Sequence, residues 1–146
     1  MNESNRESDR QSLAGFEEVE HTADWAYRVW ATSLEDLFVQ AARGLYTLVG
    51  LQIVADSPIV RELSLTGVDR ESLLVAWLNE LIHLQDFEKL GFDQIEILQL
   101  ETTRLRAKLT GGRTTQWLKD IKAATYHNLE IKPTETGFET TLVLDV

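Results

Sequence analysis

The sequence predicts an α+β domain, with two helices packed on one side of a largely antiparallel or mixed sheet. Three observations carry that reading. Two segments place apolar residues at helical spacing. Several others alternate apolar and polar residues, as half-buried strands do. The order is strands, helix, strand, helix, then a run of strands, which separates helices from most of the sheet. At 146 residues the chain suits a single domain with a sizeable core.

Residues 1–14 are polar and mixed in charge, with Leu13 their one leucine, and are expected to be a disordered tail. A single domain is expected over 15–146. Phe16 to Glu20 reads as a short strand, and His21-Thr22-Ala23-Asp24 interrupts it. Trp25, Tyr27, Val29 and Ala31 then alternate with Ala26, Arg28 and Trp30, the two-residue period of a strand. Ser33 is placed to cap a helix, and Glu35 and Asp36 suit the positive end of its dipole. Leu34, Leu37, Phe38, Ala41, Ala42, Leu45, Leu48 and Val49 follow the helical period until Gly50 stops it.

Ile59 to Thr66 predicts another strand, with Arg61 intruding on its apolar face. Asp69 caps a second helix whose stripe is Leu74, Trp77, Leu78, Leu81 and Ile82, and Gly91 is expected to end it. Phe92 to Leu100 and Arg104 to Leu109 form an expected hairpin around Glu101-Thr102-Thr103, and Gly111-Gly112 opens an expected loop. Lys119 to Tyr126, Leu129 to Lys132 and Phe138 to Val146 read as three further strands. Pro133 and Gly137 mark the turn between the last two.

Composition narrows the function. Twenty-four acids against 14 bases give a net charge of −10. A protein that grips nucleic acid by neutralising phosphates needs a basic face, so strong direct binding of that kind is excluded. A small basic patch, a cation site or docking onto a basic protein remain open. There is no cysteine, which removes disulfides, thiolate nucleophiles and cysteine-bound zinc. No apolar run approaches the roughly 18 residues of a membrane span, and the first residues have no apolar core of a secretion signal. A cytoplasmic protein with no membrane contact is expected.

There is no nucleophile elbow, Walker A loop, dinucleotide fingerprint or His-Glu-x-x-His. Gly111-Gly112-Arg113-Thr114 is too short for a phosphate loop and lacks its lysine. His21, His83 and His127 could in principle bind zinc, but a histidine on a helix face such as His83 is more often structural.

Three features carry more. His21 and Asp24 lie between two strands, where a loop can aim side chains while the sheet holds them; a local turn is the plainer reading. In the last strand Phe138, Leu142, Leu144 and Val146 share one face, and Glu139, Thr141, Val143 and Asp145 share the other. Asp145 thus adjoins the α-carboxylate expected at Val146. Two such groups repel unless they are solvated or a cation bridges them. Lys119 to His127 is the third feature: Lys122 could offset clustered carboxylates or contact a phosphate, or be merely solvated.

Together these segments resemble the archease family. The matching stretches are His21-Thr22-Ala23-Asp24, Leu73 to Leu81 (Leu-Leu-Val-Ala-Trp-Leu-Asn-Glu-Leu), Lys122 to His127 and Leu144-Asp145-Val146. The likeness runs from about Gly15 to Val146. Ala124 and the Gly111-Gly112-Arg113 loop depart from the family pattern.

The resemblance implies a compact two-layer sandwich. It implies an accessory protein for RtcB-type RNA ligases in tRNA splicing and repair, one that promotes ligase guanylylation and multiple turnover and does not itself join RNA. It also implies a metal site at Asp24, Asp145 and Val146. Oxygen-only ligation suits a hard divalent ion, Ca²⁺ first, with Mg²⁺ or Mn²⁺ as alternatives. His21 is a candidate to orient Asp24, and Lys122 and His127 are candidates to contact the ligase or its nucleotide. A transient contact between this acidic chain and a basic ligase fits complementary fields. Two other functions remain open from the residues. One is a stand-alone metal-dependent phosphate-ester hydrolase, with His21 or His127 as general base. The other is a non-catalytic adaptor or chaperone in RNA processing.

Overall fold

The computed structural model describes residues 13–19, 24–54 and 56–146. In chain order its elements are β1 (Gly15–Val19), β2 (Trp25–Ala31), α1 (Leu34–Leu48), β3 (Gln52–Ile53), β4 (Ile59–Thr66) and α2 (Arg70–Glu88). They continue with β5 (Leu90–Leu100), β6 (Arg104–Gln116), β7 (Ala123–Thr125), β8 (Lys132–Pro133) and β9 (Phe138–Asp145). The expected polar tail and His21 lie wholly or mostly outside the described residues.

The fold is α+β, two helices on antiparallel strands, as the pattern predicted. The strands divide into two sheets where the sequence suggested one. The first runs β1-β2-β9-β7, with the short β8 also on β9. In the second, β6 is the hub and pairs with β3, β4 and β5. Every described pair is antiparallel.

Both helices reach both sheets. α1 packs on β1, β2 and β9 and also on β5, while α2 packs on β4, β5 and β6 and also on β7. This explains why α2 buries more than the stripe expected of it. Leu73, Val75 and Leu84 are covered along with Leu74, Trp77, Leu78, Leu81 and Ile82. A helix that is apolar on most sides is one covered on most sides. Trp77 joins the two helices, its indole N–H donating to the Phe38 carbonyl at 2.9 Å.

The caps are those the sequence promised. Ser33 Oγ accepts from the Asp36 N–H, and Asp69 accepts from Ser72 in a reciprocal capping box. The end of α2 differs. Lys89 takes the left-handed cap at φ 56°, so Gly91 is free to enter β5. Arg61 does not waste its place on the inner face of β4, because its guanidinium meets Glu88 at 2.9 Å.

Three other expectations shift for physical reasons. Gly111 and Gly112 are strand residues inside β6, not a loop. A Cβ on Gly111 would lie 2.0 Å from the Gly91 carbonyl oxygen, and one on Gly112 would lie 2.3 Å from that of Val54. They are glycine because neighbouring backbone passes too close for any side chain. The expected strand Lys119 to Tyr126 shrinks to β7. Ile121 and Ala124 are both buried although they differ in parity, so a regular two-residue alternation cannot hold from 119 onward. Of Leu129 to Lys132 only Lys132 joins a strand. It and Pro133 form β8 beside β9, an edge place where a proline's missing N–H costs least. Among the described residues no helix is long and apolar enough to cross a membrane.

Candidate metal centre

β2 and β9 lie side by side in the first sheet, with Trp25 opposite Leu144 and Ala31 opposite Phe138. The pairing is antiparallel, so the start of β2 meets the end of β9. The last pair is Trp25 with Leu144, so Asp24, a bend residue just before β2, comes at the end of the sheet where β9 finishes with Asp145. On the other side of β9, Ala123 at the start of β7 pairs with Asp145. The Lys122 N–H donates to the Asp145 carbonyl at 2.8 Å. One end of the sheet therefore gathers Asp24, Asp145, Val146 and the main chain of Lys122, from three separate parts of the chain.

The faces of β9 divide only in part as expected. Thr140, Leu142 and Leu144 are buried and Thr141 and Asp145 exposed, but Val143, on the face expected to be outward, is buried as well. The Val146 side chain packs against the core and anchors the residue after Asp145. Asp24 is half-buried. Trp25 beside it donates its indole N–H to Glu18, and the Lys119 ammonium stands 5.9 Å from the centre of its ring. The donors here are oxygens, the chemistry that hard divalent ions prefer. Asp145 makes no side-chain hydrogen bond or ion pair among the described residues, so its carboxylate is available to a ligand. Among those residues no three His, Asp or Glu side chains converge on a metal-sized gap. The candidate set is of another kind, the side chains of Asp24 and Asp145 and a main-chain oxygen of Val146.

The other candidates fall in different places. The Lys122 side chain is exposed at the same end of the sheet. His127 is not brought to it. β7 runs away from Asp145, Thr125 already faces Val143, and His127 lies beyond. There its N–H donates to Thr125 Oγ1 at 3.3 Å, and its Nε2 is 3.4 Å from the amide nitrogen of Asn128, which takes a positive φ of 49°. His83 is exposed on α2, its ring centre 4.4 Å from that of Phe87. His21 lies outside the described residues. A cleft of about 400 Å³ lies elsewhere, between the end of α1 and β3, β5 and β6, and none of the candidate residues lines it.

Two residues were not singled out from the sequence. Lys119 is one, since nothing local announces that it will lie over Trp25. Asn79 is the other. Its side-chain oxygen accepts from the Ala124 N–H at 2.7 Å, and its amide donates to the Ala124 carbonyl at 3.3 Å. The available signal was its place in the Leu73 to Leu81 stretch, a side-chain amide directly after the buried Trp77-Leu78 pair.

The structure is thus two antiparallel sheets bridged by two shared helices, an α+β fold for which the comparisons with known proteins find a match. The Archease protein family matches residues 16–146. A protein archease of Saccharolobus islandicus is 33% identical over 144 residues, covering 92% of this chain and 100% of that protein. One from Methanopyrus kandleri is 30% identical over 138 residues, covering 90% and 99%. The crystal structure of an archease, described as a possible chaperone, from Thermotoga maritima superposes with a TM-score of 0.66. It is 24% identical and covers 89% of this chain and 96% of that one. The chain belongs to the archease family.

Proposed function

We propose that this chain is an accessory protein that activates an RtcB-type RNA ligase. It does so by promoting guanylylation of the ligase and multiple turnover, with a divalent cation, Ca²⁺ first, held by Asp24, Asp145 and Val146. Family membership over nearly the whole chain supports the class. The single observation that supports the site is the register that brings Asp24 to the end of β9.

Each residue has a physical part. Asp145 at the end of β9 and Asp24 just before the adjacent β2 supply charged oxygens, and Val146 a main-chain oxygen. Two such carboxylates without a counter-ion would repel one another. When bound, the cation supplies a concentrated positive charge able to attract a phosphate oxygen. Lys122 emerges beside Asp145, where its ammonium can meet a nucleotide phosphate or an acidic group of the ligase. His21 adjoins Asp24 in sequence and is kept as its orienting candidate, whereas His127 is kept only as a partner contact. The net charge of −10 favours fast, salt-sensitive encounter with a basic enzyme.

The deciding experiment measures how fast the ligase forms its covalent guanylate with and without this protein. An increase that Asp24→Ala and Asp145→Ala abolish supports the reading. No increase under any nucleotide or metal condition rejects it. A second reading, a non-catalytic adaptor or chaperone, draws on the description of the Thermotoga maritima protein as a possible chaperone. Ligase stimulation that survives loss of both aspartates would favour it.

A further inference from the structure

β7 is three residues long and occupies the edge of its sheet, with β9 on one side. Three residues pair too little backbone to hold a strand in place unaided. Its outward edge should present bare main-chain groups, and at Ala124 it does not. Ala124 is 4% exposed, and both of its outward polar groups are taken by one side chain, Asn79 of α2. A carboxamide has one acceptor and one donor face, spaced like those of a peptide unit, so Asn79 completes the ladder where no further strand exists. The shorter of the two bonds, at 2.7 Å, is the one that Asn79 accepts from the Ala124 N–H.

The segment held in this way is the one that borders the cation site. Ala123, one residue before Ala124, pairs with Asp145, and the Lys122 N–H binds the Asp145 carbonyl. Within this sheet α2 packs on β7, and the helix's first residue, Arg70, also stands 5.8 Å from the centre of the Phe138 ring at the far end of β9. Asn79 is therefore a polar link between the buried helix and the strand that pairs with the Asp145 end of β9.

We propose that Asn79 is a positioning residue for the cation site: through Ala124 it holds β7, and through β7 it holds the Asp145–Val146 end of β9 at a fixed distance from Asp24. The inference rests on the cation-site reading above. Groups that orient ligands without touching the metal typically change affinity by roughly 10- to 100-fold when removed. The coupling is reciprocal, because whatever the brace contributes to cation binding, the cation returns to the brace.

The test uses the full chain with Ca²⁺ as probe, titrated by calorimetry into wild type, Asn79→Ala, Asn79→Asp and Asp24→Ala. A thermal melt of each variant checks folding, and amide hydrogen exchange is read at Ala124. The expected result has four parts. Asn79→Ala stays folded and binds Ca²⁺ roughly tenfold or more weakly. Its Ala124 amide exchanges faster than in wild type. Asn79→Asp, which keeps the acceptor for the 2.7 Å bond, recovers part of the affinity. Ca²⁺ slows Ala124 exchange in wild type and not in Asn79→Ala. Unchanged affinity in folded Asn79→Ala, with binding lost in Asp24→Ala, overturns the positioning role and leaves the cation site standing. Unchanged affinity in Asp24→Ala, or no binding by wild type, overturns the cation site and this inference with it. If Asn79→Ala does not fold, Asn79→Asp and the effect of Ca²⁺ on Ala124 in wild type decide: no recovery of binding and no slowing reject the proposal.

Discussion

Trp25 stands opposite Leu144, and its indole closes onto Glu18 while Lys119 lies over the ring. An aromatic reporter is therefore built in one residue from Asp24. Cation binding should change its fluorescence, and Trp25→Phe should remove that change without removing binding. Asp24→Ala should abolish both the optical signal and the calorimetric heat of Ca²⁺. Unaltered affinity in Asp24→Ala would strike that residue from the ligand set.

The chain end offers a separate test. If Val146 supplies a ligand through its α-carboxylate, residues added after it replace that group with a neutral amide and crowd the end of β9. Ca²⁺ binding should weaken although Asp145 is intact. A tag before Gly15 should leave binding unchanged. Equal affinity with either tag would remove Val146 as a ligand.

Ligase activation should be catalytic in this protein. Substoichiometric amounts should convert single-turnover joining into multiple turnover, and added salt should reduce the effect. Lys122→Ala should lower stimulation without altering Ca²⁺ affinity, since the structure ties only the main chain of Lys122 to Asp145. Full stimulation by that variant would show that its side chain is merely solvated.

Stability should fall on the alkaline side for an identifiable reason. Tyr27 is fully buried, its hydroxyl donating to the Ala41 carbonyl at 2.7 Å, and burial raises its pKa well above the usual tyrosine value. Burial also raises that of Tyr46. A raised folded-state pKa means that the unfolded chain gives up its proton first, near pH 10. Stability is then complete below about pH 10 and declines above it, by about 1.4 kcal/mol per pH unit for each such tyrosine. Denaturant titrations should show no such loss from about pH 8 to 9 and approach that slope only above about pH 10, and Tyr27→Phe should make it shallower. At neutral pH the same change should cost about 1 kcal/mol for the lost bond. An identical alkaline slope in Tyr27→Phe would refute the assignment.

How much of this was legible in the sequence depends on the range of the interaction concerned. α1 was readable because its cap, acidic first turn and apolar period all lie within one stretch from Ser33 to Gly50. The exposure of Asp145 agrees with its parity, although Val143, of the same parity, is buried. β3 and β8 were not, since two residues carry no period. Gly111 and Gly112 suggested a loop because the approach that demands glycine comes from Gly91 and Val54, which no local pattern reveals. The likeness to a family named Asp24, Asp145 and Val146 together, whereas their meeting depends on β2 pairing with β9, more than a hundred residues away. His127 looked equally close to the site by motif, and the direction of β7 carries it off.

The placement of α2 bears on how the molecule comes apart. The helix is shared, with β4, β5 and β6 against part of its surface and β7 against another, while α1 spans the same divide from β2 to β5. Neither sheet can separate without leaving Leu-rich helix surface in water, so neither has an independent melting point. Heat should therefore take the domain apart in one step, with calorimetric and van't Hoff enthalpies equal. Opening confined to one region should be found first at β8, a two-residue edge strand whose residues are exposed and whose amide at Lys132 should be the first to exchange with solvent.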